Sequence, residues 1–336
     1  MPKFIPGLKL SELFYIEVVK LILESEFPNL KYSAGLLGSG SEVLGYDTPQ
    51  STDHHWGPRM LLFLSEDDFR KNKDKLWTVL SERLPFKFKG YPTNFGKPDK
   101  FGVQLLEETR KAPVNHRVEV FTIRLFFKEY LNFNPHREVQ TSDWLRFPEH
   151  KLLTITAGKI FHDDLNLDKT RKRFNYYPRD IWLHFLSLQW YRISQEEAFM
   201  GRCGDVGDEL GSKIIASRLV KQLMKLCFLM KKEYAPYSKW FGTAFAELKS
   251  SKKLIPIFNK VLTTQSWKER EKHLSQAYTE VARLHNRLGI TKTMKTEVSK
   301  FHNRSYLIIH AKSFSDEIRK SIVDKEIREI QLDIAN

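Results

Sequence analysis

The chain has 336 residues, 41% of them hydrophobic and 29% charged, an ordinary balance for a globular protein. No apolar run approaches the length of a membrane span, and residues 1–7 lack the basic start and apolar core of a secretion signal. No membrane partner is expected. The only cysteines, Cys203 and Cys227, are too few and too far apart for a disulfide framework or a zinc knuckle. Two buried thiols suit a reducing cytoplasm.

The net charge of +14 is unevenly placed. Residues 1–168 carry 23 Lys+Arg and 23 Asp+Glu, whereas residues 169–336 carry 32 and 18. A basic half suits a nucleic acid or a triphosphate, or it is a solvated face. It argues against a polycationic acceptor.

Ser11 to Phe27 places apolar residues at helical spacing. Ser11 can cap it and Pro28 follows its end. Tyr32 to Leu37 is a short apolar run that reads as a strand. Alternating Gly and Ser follow it at Gly38-Ser39-Gly40-Ser41, where backbone can approach a phosphate closely. The excursion ends in Asp53-His54-His55-Trp56, and a second apolar run spans Met60 to Leu64. If Asp53 and His55 begin that strand, they point to one face and could share a metal ion. Glu66 to Leu84 is a helix with acids in its first turn. Phe86 to Lys89 alternates like an edge strand, and Gly90 to Lys100 is a loop.

Arg117 to Arg124 is the best strand pattern in the chain. Its Glu119 sits between valines, where a carboxylate is costly to bury unless it is paired or holds metal. A short helix is expected around Asp143-Trp144, another over Pro148–Ala157, and a closing strand at Gly158–Asp163. The His162-Asp163 pair within it looks like the dipeptide of HD phosphohydrolases, but no further ligand set accompanies it.

The composition shifts after Asp168. The basic run Thr170–Arg173 precedes Tyr176-Tyr-Pro178, and Pro178 suits the first turn of a long helix reaching Phe199. Its aromatics read as core. Gly201 to Gly211 reads as a flexible, glycine-rich turn. Helices are expected at Leu210–Glu233, from Pro236, at Leu254–Leu262 and at Ser266–Leu288, the last ended by Gly289. A final charged helix spans 315–331.

Gly40-Ser41, eleven residues, then Asp53-x-His55 resembles the signature of the nucleotidyltransferase superfamily, whose members share the fold of DNA polymerase beta. A wider resemblance is to an uncharacterised family with this core, domain-of-unknown-function family 4037. It runs from Phe4-Ile-Pro-Gly7, through Gly45-Tyr-Asp-Thr48 and Ser51–Arg59, to Gln195–Phe199, Gly207–Ser212 and Lys239–Gly242. The resemblance implies an α+β fold. A nucleotidyltransferase-like mixed sheet with flanking helices would fill residues 1–170, and an all-helical domain would fill 171–336.

The superfamily transfers an NMP from an NTP to a hydroxyl acceptor. By that resemblance, Gly38, Ser39, Gly40, Ser41 and Arg59 would bind the nucleotide. Asp53, His55 and Glu119 would hold a divalent metal, Mg or Mn. Glu196 or Glu197 would be the catalytic base, although neighbours on a helix differ by about 100° and only one can face a cleft. The acceptor would be RNA or a small molecule. His55 stands where the superfamily has a carboxylate, and imidazole favours a softer ion than Mg. The alternative is a nucleotide- or RNA-binding protein without catalysis, its metal site weakened by His55.

Overall fold

The computed structural model describes residues 2–332. The chain forms two compact units, Met1–Val139 with Phe147–Asn175, and Gln140–Arg146 with Tyr176–Asn336.

In the first unit α1 (Gly7–Phe14) passes through a wider π turn at Tyr15–Val19 into α2 (Lys20–Glu26). The helix begins at Gly7, after Pro6, and Ser11 is buried within it instead of capping it. Phe14 and Val19 are five residues apart, and the wider turn keeps both on the buried side with Leu10 and Leu23. Strand β1 (Tyr32–Leu36) and strand β2 (Arg59–Leu64) are buried along their whole length. Helix α3 (Glu66–Arg83) starts where expected, with the Ser65 hydroxyl accepting from the Asp68 N–H. A two-residue-per-arm hairpin, β3 (Lys87–Phe88) and β4 (Tyr91–Pro92), follows.

Strand β5 is Arg117–Thr122. It does not run on to Arg124, because Thr122 caps α4 (Ile123–Leu131) by accepting from the Leu125 N–H. Helix α5 (Thr141–Arg146) lies in the segment that belongs to the second unit. Helix α6 (Glu149–Thr156), β6 (Lys159–Asp163) and α7 (Leu167–Lys172) complete the first unit. The sheet order is β5-β2-β1-β6. Strand β1 runs antiparallel to β2 and β6, while β2 and β5 are parallel, with Arg59 opposite Arg117 and Leu61 opposite Glu119. The fold is α+β, with a mixed four-stranded sheet.

The second unit is largely helical. It contains α8 (Arg179–Glu196), α9 (Phe199–Asp205), α10 (Glu209–Lys231), α11 (Ser238–Glu247), α12 (Ser251–Thr263) and α13 (Trp267–Asn286). A small hairpin, β7 (Ser299–Lys300) and β8 (Leu307–Ile308), precedes α14 (Ala311–Lys320) and α15 (Lys325–Glu329). The α8 aromatics are core. Trp190 stacks on Phe314 at 4.2 Å, and the Trp182 indole donates to the Leu229 carbonyl at 2.7 Å. Two expectations fail here. Gly201–Asp205 is helical and not a turn, because its glycines let α9 press against bulky neighbours. A Cβ on Gly201 would strike Tyr306, and one on Gly204 would strike Trp267. The final helix is also two helices, broken where the Asp180 carboxylate accepts from the Val323 and Asp324 N–H groups at 2.8 and 2.7 Å. Cys203 is half-buried and Cys227 buried, both free thiols. Among the described residues no helix is long and apolar enough to cross a membrane.

Candidate functional site

The Gly38–Ser41 turn leaves the end of β1 with Gly38 at φ +89° and Gly40 at φ +142°, backbone that L side chains rarely adopt. Space reinforces the constraint. A Cβ on Gly38 would strike the Tyr130 hydroxyl, and one on Gly40 would lie 2.5 Å from a Glu42 carboxylate oxygen and 2.6 Å from Arg59 Nη2. Two amides of the turn are used internally. The Gly38 N–H donates to the Thr154 carbonyl and the Ser39 N–H to the Tyr130 hydroxyl, both at 3.1 Å. No acceptor among the described residues takes the Gly40 or Ser41 N–H.

Arg59 opens β2 beside this turn. Its Nε and Nη2 donate to Glu42 Oε1 at 2.8 and 2.5 Å, and Nη2 also donates to the Ser39 carbonyl at 2.7 Å. Both partners are buried. Arg59 therefore fixes the loop through a buried ion pair and a backbone contact.

Residues 53–58 do not begin the second strand. Asp53 ends a short 3₁₀ turn, Pro49–Asp53, and His55 has φ +53°. The alternation that would set Asp53 and His55 on one face is absent. Asp53 is 69% exposed and pairs with the adjacent His54 Nδ1 at 2.6 Å. His55 is tied to the loop after β4 by its own N–H, which donates to the Gln104 carbonyl at 2.9 Å.

The structure does bring His55 and Glu119 together, but through a third residue. Arg117 Nη1 donates to His55 Nδ1 at 2.5 Å. Its Nη2 and Nε donate to Glu119 Oε1 at 2.6 and 3.1 Å. The guanidinium also lies 5.7 Å from the centre of the Phe95 ring. Arginine has no acceptor, so Nδ1 of His55 carries no proton and the ring is neutral. Burial and then the Arg117 and Arg59 charges hold the His55 pKa below its ordinary value. A divalent ion shared by His55 and Glu119 would need the place the guanidinium fills. Among the described residues no three His, Cys, Asp or Glu side chains converge on a metal position. The residues present do not fit the ion that the superfamily resemblance implies.

Arg117 is the residue that sequence reasoning overlooked. Its signal was present, since Arg117 and Glu119 are two apart on a strand and share a face. Tyr130 had no such signal, because α4 was hidden behind the apolar continuation of β5.

The other quoted motif residues build the frame. Asp47 accepts from the Gly7 N–H at 2.7 Å and from the Trp56 indole at 2.9 Å, and Phe4 stacks on Trp56. The His162-Asp163 pair is likewise structural. Asp163 accepts from the Ser33 hydroxyl and the Leu167 and Asp168 N–H groups.

In the second unit both candidate bases are occupied. Glu196, at the end of α8, forms an ion pair with Arg218. Glu197 is buried, and its carboxylate accepts from the Ile309 and Ala311 N–H groups at 3.0 and 3.1 Å. Burial pushes its pKa up to about 7 despite those donors. These contacts make Glu196 a helix-pairing group and Glu197 an anchor for the segment after β8.

No curated protein matches the chain. A crystal structure of a nucleotidyltransferase-like protein from Exiguobacterium sibiricum is similar to it at 12% identity, over 93% of this chain and 91% of that one, with a TM-score of 0.34. Residues 144–241 match the family described as "Domain of unknown function (DUF4037)".

Proposed function

We propose that the first unit binds the phosphates of a nucleotide at the Gly38–Ser41 turn, with Arg117 supplying the positive charge a divalent ion would otherwise bring. The observation that most supports this is the Arg117 guanidinium between His55 and Glu119. Three of its five N–H donors are engaged, which leaves two for a phosphate oxygen. The Gly40 and Ser41 amides add donors that no group among the described residues takes. Glycine at positive φ, with no room for a Cβ, suits backbone that meets a phosphate directly.

The second reading is nucleotidyl transfer from an NTP to a hydroxyl of RNA or a small molecule. It draws on Asp53 and Glu119, whose side chains are 69% and 39% exposed and so reachable by a ligand. It requires in-line positioning and neutralisation of phosphate charge. No step through a metal follows from the residues as arranged.

Calorimetry with each NTP, in EDTA and then in Mn²⁺, separates the two. Binding in EDTA that falls about tenfold or more in Arg117→Met supports the first. Binding only with the metal, together with label passing from an NTP to total RNA, would replace it with the second.

A further inference from the structure

The positive surplus of residues 169–336 has a local focus. A cavity of about 430 Å³ in the second unit is lined by Lys231, Lys249, Lys252, Lys253 and Arg287, with one acid, Glu280. It lies where the last turn of α10, the start of α12 and the end of α13 meet. Glu280 already pairs with Lys253 at 2.7 Å and with Arg283 at 2.8 Å. Lys231, Lys249, Lys252 and Arg287 have no ion-pair partner among the described residues.

Two of these four have an ordinary explanation. Lys231 ends α10 and Arg287 caps α13, and cations favour helix C-termini. Lys249 and Lys252 do not share it. They flank the N-terminus of α12, whose first turn holds no acid. A cation there opposes the helix dipole. Like charges around one cavity add repulsion. A bound anion removes both penalties and accepts from first-turn amides as well.

We propose that this cavity is a second anion site, separate from the Gly38–Ser41 turn, that takes a small ligand bearing clustered phosphates. Four unpaired cations match a polyphosphate or bisphosphate better than a single carboxylate. The volume lies in the range of small-molecule pockets. Its apolar lining is Leu254 and Leu284. No lining residue is aromatic, so the stacking platform that single-stranded nucleic acid uses is absent.

The test uses the full chain and inorganic tripolyphosphate, titrated by calorimetry at two salt concentrations. One variant carries Lys249→Gln, Lys252→Gln and Arg287→Gln. A control carries Lys221→Gln, Lys260→Gln and Lys300→Gln, which remove the same charge at exposed positions outside the cavity. The expected result is an affinity loss of about tenfold or more in the first variant and less than about twofold in the control. Equal losses in both would mean diffuse attraction and overturn the site. So would a loss confined to Arg117→Met, which would assign all phosphate binding to the first unit. A ten-nucleotide single-stranded RNA binding tighter than tripolyphosphate, with the same loss in the first variant, would replace the small ligand with a nucleic-acid surface. Circular dichroism of each variant checks that the fold is kept.

Discussion

Replacing Glu42 with leucine keeps the side chain's bulk and removes the one carboxylate among the described residues that Arg59 meets at hydrogen-bond distance. Both side chains are under one-tenth exposed, so the guanidinium cannot turn to water. Stranding one member of a buried pair costs about 3–5 kcal/mol. With a urea slope of about 2 kcal/mol per molar, the midpoint of the first unit should fall by roughly 2 M. Adding Arg59→Met removes the stranded charge. What remains is the lost bond to the Ser39 carbonyl, about 1 kcal/mol. The double variant should therefore be more stable than Glu42→Leu alone, with a coupling of about 2 kcal/mol or more. Hydrogen exchange in urea, followed on peptides covering residues 32–46, reads this unit separately from the helical one. A single substitution costing under about 1 kcal/mol, or two costs that simply add, would refute the buried-pair account.

Three further outcomes follow from the contacts described. Gly204→Ala forces a methyl into the Trp267 ring and should lower the stability of the second unit by about 1–3 kcal/mol, seen as a lower Tm; an unchanged Tm would mean α9 can shift away. The folded-state pKa of Glu197, about 7, lies above its ordinary value. Its contribution to stability is thus full below about pH 4.5 and is lost as pH rises through about 7. Glu197→Gln should then flatten that dependence and gain about 2–3 kcal/mol at pH 8, measured by urea unfolding across pH. In Arg117→Met the His55 imidazole loses a neighbouring positive charge, so its pKa should rise towards the usual value in a histidine NMR titration; no movement would mean that Arg117 adds nothing to burial and the Arg59 charge.

Much of the fold could be read from pattern. The runs Tyr32–Leu37 and Met60–Leu64 are buried central strands, and the alternation of Arg117–Thr122 marks the edge strand that pairs with β2. The three acids of its first turn placed α3, and the Ser65 cap is what the structure adds. Other elements lay beyond local rules. Helix α9 contains Gly201 and Gly204, which look like turn residues until Tyr306 and Trp267 arrive from far along the chain. The candidate site divided in the same way. The Gly38–Ser41 turn is visible in sequence because glycine answers to local backbone geometry. The Asp53, His55 and Glu119 trio assumed a strand at residues 53–55, where the chain instead adopts a 3₁₀ turn and a left-handed histidine. What His55 and Glu119 do hold is a guanidinium; its contact with Glu119 lies within β5, and the parallel pairing of β2 and β5 brings it to the segment that carries His55.

The chain passes from one unit to the other three times, after Val139, after Arg146 and after Asn175. No single cut can therefore release both halves whole. A fragment ending at residue 170 keeps α5 but removes α8, the helix it packs on, and bares the buried Trp144. It also loses residues 171–175, including Phe174, which packs against Phe127 and Phe133. Expressed alone, such a fragment carries a sticky surface at one end and a hole in its core at the other. A soluble version of the first unit needs its boundary at Asn175 and a short polar bridge in place of residues 140–146. For the helical unit, the natural design is a circular arrangement that returns Thr141–Arg146 to α8 through a new linker.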